Sequence, residues 1–238
     1  MTLQEQNLLC LVDVGAMGGL QDKWMAHAKK LWPVMIEANP VQLQHIRDRS
    51  NLFPKTTLVE CALANLNGPI SLWITRNPTC ISVLEPNQDV LDHYGIKMHF
   101  EITGRHTVEA ARYDTLCENG RAPKPDVVKI DVQGFEYEVL LGFGGLLGNC
   151  LGIELETHFY PLYRGQKLLH DLIALLGTYG LVLRRLDTDS KLSHFDGDLI
   201  EADAYFTKSR RAVRGLDSAQ RTKFALLTQV WQLPPYVD

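Results

Sequence analysis

One α/β domain on a mostly parallel sheet is the fold this sequence predicts, on three observations. Apolar runs suited to burial on both faces recur at residues 8–14, 34–38 and 126–132. The first and last of these end in a glycine turn that opens a helical stretch, the pattern of strand–crossover–strand units. The chain has 238 residues, 45% hydrophobic and 22% charged, enough for a sizeable core without disulfides or structural metal.

Each element follows from local pattern. Residues 8–14 make the first strand. Leu20, Trp24, Ala28 and Leu31, with Trp32 alongside, recur at helical spacing and predict a helix that Pro33 stops. Residues 34–38 make the second strand. Asn39-Pro40 reads as an N-cap followed by proline at the first helical position, and Val41, Leu43 and Ile46 mark a short helix. Residues 57–63 predict a third strand, and Gly68-Pro69 turns the chain into residues 70–75, which alternate with period two. The stretch 77–112 is the least regular, with a short helix near 88–94 and one or two short strands around 98–102 and 108–111.

Regularity returns with a strand at 126–132, a helix from 135 to 141 and a strand at 150–155. An aromatic loop at 158–165 precedes a leucine-faced helix at 167–179. Residues 181–186 and 203–207 are the last strands, a long hairpin across the polar loop 187–198, and 217–231 is a tail helix. Without repeats or linkers, residues 1–238 read as a single domain, with a core at about 8–207 and a helical tail at 209–238.

Composition narrows the function. A formal charge of -4 argues against nucleic-acid binding by bulk charge. Five cysteines, an odd number with no Cys-x-x-Cys pair, argue against a disulfide framework or a four-cysteine zinc site. No stretch approaches the ~20 apolar residues of a membrane span. Glu5 is the only charge before Asp13, so no basic leader is read, and a cytoplasmic protein is expected. With the first strand so near the start, any cover over a site is expected from internal loops, the tail or a partner subunit.

Asp13-Val14-Gly15-Ala16-Met17-Gly18-Gly19 joins the first strand to the first helical stretch. Ligands of open α/β sheets bind at the carboxyl ends of strands, where glycines let the backbone approach them. The spacing is Gly-x-x-Gly, without the middle glycine of the dinucleotide fingerprint and without the Gly-Lys-Ser/Thr of a phosphate loop. Such a turn, preceded by an acid, suits a cationic ligand with no phosphates; S-adenosylmethionine is one. Glu37 ends the second strand, where an acid can accept both ribose hydroxyls. The plainer alternative is a turn chosen for tight packing, with Glu37 a solvated strand end.

Lys129-Ile130-Asp131-Val132-Gln133-Gly134-Phe135-Glu136 is the most distinctive stretch. Together with the glycine turn and Glu37-x-x-Pro40 it makes the chain resemble the FkbM-type S-adenosylmethionine-dependent methyltransferases, from about residue 8 to about 207. The resemblance implies a class I methyltransferase (Rossmann-like) fold, a mostly parallel seven-stranded sheet with the last strand antiparallel. It also implies O-methylation of a sugar or polyketide-type natural product. By the same resemblance Gly15, Ala16 and Gly18, with Asp13 before them, line the methionine part of the cofactor, and Glu37 and Ala38 hold the ribose. Ala62, at the Glu60-Cys61-Ala62-Leu63 strand end, lies by the adenine, and Asp131 stands near the transferring methyl. The chain departs from the family pattern at Met17, where Asn is common, and at Gln133, where Glu is common.

Methyl transfer to a hydroxyl needs alignment and a proton acceptor. Asp131 is the first candidate base; the alternative is that it orients the cofactor amine or caps the next helix. His158 is the second, with a surface-loop histidine as its alternative. Glu154 and Glu156, two apart on a strand, share a face and could help a metal, but no ligand cluster supports one, and no metal is expected. The aromatic loop from Phe159 to Arg164 either covers a ligand or packs on the tail helix. Arg210, Arg211 and Arg214 form a basic cluster that is either solvated or faces an anionic substrate. The expected partner is a small-molecule hydroxyl acceptor; association of copies of the chain stays open. Two other functions remain in view: a non-catalytic cofactor-binding protein on the same fold and, less favoured, a nicotinamide-dependent oxidoreductase.

Overall fold

A computed structural model of the chain describes residues 7–189, 194–195 and 197–236. Its strands are β1 (Leu9–Val14), β2 (Leu31–Glu37), β3 (Thr57–Glu60), β4 (Ala62–Leu63), β5 (Gly68–Thr75), β6 (Ile102–Ala111), β7 (Val127–Ile130), β8 (Gly152–His158), β9 (Leu181–Asp187), β10 (His194–Phe195), β11 (Asp198–Leu199) and β12 (Glu201–Lys208). Its α-helices are α1 (Asp22–Met25), α2 (Pro40–Asp48), α3 (Gln88–His93), α4 (Tyr113–Glu118), α5 (Glu136–Phe143), α6 (Leu169–Thr178), α7 (Arg210–Arg214) and α8 (Ser218–Val230).

Seven strands form the main sheet in the order β3-β2-β1-β7-β8-β12-β9. Neighbours from β3 to β8 are parallel, while β12 runs antiparallel between β8 and β9. This is the mostly parallel seven-stranded sheet with its last strand antiparallel that the family resemblance implies. The sheet order reverses between β1 and β7, so the loops after these strands meet at the switch point, where open α/β sheets bind ligands. A smaller sheet, β4-β6-β5, stands beside it.

The strands alternate their side chains between two cores. Cys10, Val12 and Val14 of β1 face one side with Val34, Ile36, Val128, Ile130, Ile153 and Leu155, beneath Leu116 of α4, Val139 and Leu140 of α5 and Leu172 and Leu176 of α6. Leu9 and Leu11 face the other side with Val127 and Tyr205, beneath Phe224, Leu227 and Val230 of α8 and the indoles of Trp24 and Trp231. Each such fully buried side chain contributes about 1.5–3 kcal/mol.

Local capping agrees with the motifs. Asn39 Oδ1 accepts from the Val41 N–H at 3.0 Å with Pro40 first in α2, and Asp217 and Gln220 form a reciprocal capping box on α8 at 2.8 and 3.1 Å.

Four expectations change. The helix over Leu20 to Trp32 shrinks to the single turn α1 and a 3₁₀ turn at Ala28–Lys30, and Leu31, Trp32 and Pro33 belong to β2. Leu31 lies fully buried opposite Leu9, so burial across the sheet outweighs helical spacing. Pro33 is tolerated because pairing with β3 begins only at Val34. The third strand breaks at Cys61, after which the chain leaves the main sheet for the small one. In place of one or two short strands around 98–102 and 108–111 there is one long strand, β6, antiparallel to β5, preceded by a 3₁₀ turn at Lys97–Phe100. His158 ends β8 rather than starting the aromatic loop. The polar loop 187–198 lies partly outside the described residues.

Candidate active site

The turn after β1 is built by three left-handed glycines, Gly15, Gly18 and Gly19, with φ of 75°, 83° and 87°. A Cβ on Gly15 would lie 2.0 Å from the Asp131 carbonyl oxygen, so only glycine lets the β1 and β7 loops meet here. A Cβ on Gly18 or Gly19 would meet nothing within 4 Å, which leaves a bare backbone surface open to a ligand. The Gly15 and Ala16 N–H groups both donate to the Ile36 carbonyl, at 3.1 and 3.2 Å. That fixes the turn against the end of β2, where Glu37 stands. Glu37 is half-buried; one oxygen accepts the Asn39 N–H at 2.8 Å, and burial raises its pKa. Ala38 follows directly. Glu37 lies opposite Glu60 across β2 and β3, so Ala62, two residues on, stands at the neighbouring strand end.

Behind the turn a row of polar side chains crosses the sheet in register: Asp13, Lys129, Glu154, Tyr205 and Arg185. Signs alternate along its first three members. The Lys129 ammonium lies 3.4 Å from Asp13 Oδ1 and 3.4 Å from Asp131 Oδ2. Burial opposes its charge, but Asp13, Asp131 and Glu154 outweigh that and raise its pKa. Asp13 is buried and its pKa is raised by that burial. Lys23 of α1 closes the row from outside, 2.6 Å from Glu154 Oε1 and 3.0 Å from the Tyr205 hydroxyl. Asp13 is therefore a buried counter-charge to Lys129 beneath the turn, rather than a residue on its surface.

Asp131, one residue beyond β7, is 40% exposed in its side chain. Its backbone N–H donates to the Val14 carbonyl at 3.1 Å, and Gln133 Nε2 donates to its Oδ1 at 3.1 Å. The same Nε2 donates to Glu156 Oε2 at 2.7 Å. Glu156 has its pKa raised well above the carboxylate range by burial, Asp131, Glu136, Glu201 and Asp203. Beneath them Glu136 is buried at the start of α5. Its Oε1 accepts the Val132 and Gly134 N–H groups at 3.1 Å each, and burial pushes its pKa up to about 7.

His158 shares its sheet face with Glu154 and Glu156 but is 2% exposed. Gln166 Oε1 accepts the Tyr163 N–H at 3.2 Å, so its Nε2 donates to His158 Nδ1 at 2.7 Å. The ring is then neutral with its hydrogen on Nε2, 3.9 Å from Glu201 Oε2. Burial lowers its pKa to about 4. In this form neither ring nitrogen has a free lone pair for a substrate proton.

The aromatic loop turns its buried side chains away from the tail helix, with Tyr160 and Arg164 exposed. Leu162 and Tyr163 enter a third core with Cys80, Leu91, Tyr94, Phe100 and Ile200. This core fastens the irregular stretch after β5 over the end of β8 as a cap; Ser82 and Tyr163 reach from it to Gln133. The structure thus brings the glycine turn, Glu37 and Asp131 to one sheet end, with Asp13 buried beneath the turn and His158 buried at the end of β8. Lys129, Gln133 and Glu136 lie in the distinctive string; Glu136 anchors the loop by contacts within it, whereas Lys129 as counter-charge and Gln133 as bridge need contacts from β1, β8 and the cap. Glu156 was marked only by alternation along its strand. The five cysteines are free, four of them buried, and no described helix is long and apolar enough to cross a membrane.

Comparison with known proteins gives this geometry a family. The hexuronic acid methyltransferase AglP of Haloferax volcanii is 42% identical over 123 residues, 51% of this chain and 45% of AglP. The match thus spans less than half the length of that relative. The 2-O-methyltransferase NoeI of Sinorhizobium fredii is 23% identical over 180 residues, 72% of each chain. Among solved structures, magnesium protoporphyrin IX methyltransferase (ChlM) from Synechocystis PCC 6803 aligns over 85% of this chain and 70% of its own, at 12% identity and a TM-score of 0.46. The model of the FkbM methyltransferase domain matches residues 13–185, from the acid before the glycine turn to the ninth strand, and the chain belongs to that family.

Proposed function

We propose that the protein is an S-adenosylmethionine-dependent O-methyltransferase whose acceptor is a hydroxyl of a sugar or a polyketide-type natural product. Family membership, together with relatives named for hexuronic acid and 2-O-methylation, supports the reaction class. The observation that carries the assignment is the turn itself. Its open glycines hold no basic side chain, the Lys129 ammonium behind it is engaged by Asp13 and Asp131, and an acid waits at the end of β2. That donor set fits a cationic ligand with no phosphates and disfavours a dinucleotide. Gly15, Ala16 and Gly18 would line the methionine part, Glu37 and Ala38 the ribose, and Ala62 the adenine. When bound, the cofactor supplies an electrophilic methyl group and keeps the electron pair of the broken carbon–sulfur bond.

The protein's own part is alignment, exclusion of water and proton acceptance. Asp131 is the base in this reading, because it is the exposed carboxylate beside the turn, and it takes the acceptor's hydroxyl proton as the oxygen bonds to carbon. His158 acts as a buried strut for Gln166. The acceptor enters beneath the cap. Free buried thiols suit a reducing compartment, so the protein works in the cytoplasm.

Calorimetric titration with S-adenosylhomocysteine and a turnover screen of sugars test this. Glu37→Ala should weaken cofactor binding at least about tenfold, since a charge-assisted hydrogen bond contributes about 1.5–3 kcal/mol. Asp131→Asn should leave binding within a few-fold and lower turnover by about 10²–10⁴. No binding heat in folded protein would refute the cofactor; full turnover in Asp131→Asn would refute the base.

A further inference from the structure

Gln133 is one of two non-glycine residues with positive φ among the described residues, at 58°. For a side chain with no special tolerance of that region, such a backbone is strained and persists only where the surroundings hold it. Here they do. The Gln133 carbonyl accepts the Ser82 hydroxyl at 2.6 Å, and its side-chain Oε1 lies 3.2 Å from the Tyr163 hydroxyl. That hydroxyl also reaches the Cys80 carbonyl at 3.1 Å. Both contacts come from the cap. Gly134 follows with φ of 90°, and a Cβ there would strike Tyr163 at 2.8 Å, so the cap sits directly on this turn. With Oε1 accepting, Nε2 is the donor end, and it spans Asp131 Oδ1 and Glu156 Oε2. Among the described hydrogen bonds, no other side chain touches both carboxylates.

We propose that Gln133 is the positioning residue of the proton-accepting site: one amide group holds the Asp131 and Glu156 carboxylates side by side and ties the pair to the acceptor-side cap. This rests on the methyltransferase reading above. Nε2 donates to both carboxyl groups, so one amide fixes the spacing between them. The neutral amide is the group that fits: a carboxylate at this position would add a third acid and supply no donor. Asp131 is thereby aimed while still open to solvent, and the hydroxyl proton it accepts enters a pair rather than an isolated carboxylate. The pair's surroundings are mostly acidic. Glu136 faces it from α5, Glu201 and Asp203 from β12, and the cap adds Tyr163 and Cys80. On the sheet, Lys129 is the nearby cation, itself shared with Asp13, and His158 is neutral. Gln133 therefore supplies two of the few donors this pair has.

The test uses the cofactor-free full chain with ¹³C-labelled glutamate, following the Glu156 carboxyl by NMR through a pH titration. Gln133→Met keeps the unbranched shape and removes both donors. The Glu156 midpoint should rise by at least about one unit, because lost hydrogen bonds favour the neutral form. Gln133→Gly removes the amide while relieving the left-handed backbone, and should give the same rise if the amide rather than the strain matters. With cofactor and an accepted sugar, the acid limb of kcat/KM should move to higher pH in both variants while cofactor affinity stays within a few-fold. A Glu156 midpoint within about 0.3 unit of the parent in both folded variants would overturn the proposal. Should no sugar be methylated, the Glu156 midpoint still reports, so the fate of the bridge is read separately from that of the methyltransferase assignment.

Discussion

Two glycines a few residues apart in the β1 turn have different reasons to be glycine. Gly15 is both left-handed and in contact: its missing Cβ is the space the Asp131 carbonyl occupies. Gly18 is left-handed over open space. Gly15→Ala must move the β7 loop, and is expected to lower stability by more than about 3 kcal/mol and to displace Asp131. Gly18→Ala is expected to cost only about 1–2 kcal/mol, the penalty of left-handed backbone for a residue with a Cβ. Urea denaturation of the two variants measures the contrast; equal losses would remove the contact argument. Glu136 supplies the pH dependence. Its folded pKa, about 7, lies above the ordinary 4.5, so the folded state holds this proton more tightly than the unfolded chain. Stability from Glu136 is therefore fully present below about pH 4.5 and falls as pH rises through about 7, by on the order of 3 kcal/mol. Glu136→Gln keeps an acceptor for the Val132 and Gly134 N–H groups and should flatten that part of the profile in thermal melts taken from pH 5 to 8.

At the level of elements, the tail helix shows how a segment outside the motifs completes the core. α8 lays Phe224, Leu227 and Val230 on the sheet, and Trp231 just after it packs edge-on to Trp24 at 6.3 Å and to Tyr205 at 5.3 Å between centroids. Gly152 at the start of β8 makes room: a Cβ there would lie 2.6 Å from the Trp231 ring. Trp231→Ala should cost about 3–5 kcal/mol in chemical denaturation, since the cavity lies between a helix and a sheet that cannot close on it. A loss below about 1 kcal/mol would mean that α8 is not part of the cooperative unit. The tail helix itself was legible from its apolar spacing. Residues 20–33 were not, because Leu31 and Trp32 satisfy a helical period and a strand period equally, and only the neighbouring β1 decides between them.

Across the whole molecule, the row Asp13, Lys129, Glu154, Tyr205 and Arg185 runs over five strands between the apolar layer under α8 and the carboxyl-end loops. It separates the packed half of that sheet face from the half that carries the chemistry. Its members depend on one another, since each buried charge is offset by its neighbour. Lys129→Met should cost about 3–5 kcal/mol because it leaves Asp13 buried without a counter-charge. Adding Asp13→Asn should recover most of that loss. If the double variant is no more stable than the single one by equilibrium unfolding, the coupling between β1 and β7 is not electrostatic.

The α/β class, the order of most elements and the places where a ligand would meet the backbone were legible from the residues alone. These are local properties: apolar runs, glycine turns, the Asn39-Pro40 cap, the string around Asp131. The residues also carried the family, because those strings are contiguous. Tertiary structure decided everything that joins distant strings. It split the strand at Cys61 between two sheets, made one long β6 of a stretch that reads as short strands and turned Asp13 inward onto Lys129. It also buried His158 against Gln166 and made Gln133 a bridge. The physical reason is the same in each case. A side chain's charge, protonation and orientation are set by what lies within a few ångströms of it, and at this site those neighbours come from β1, β7, β8, β12 and the cap, far apart along the chain.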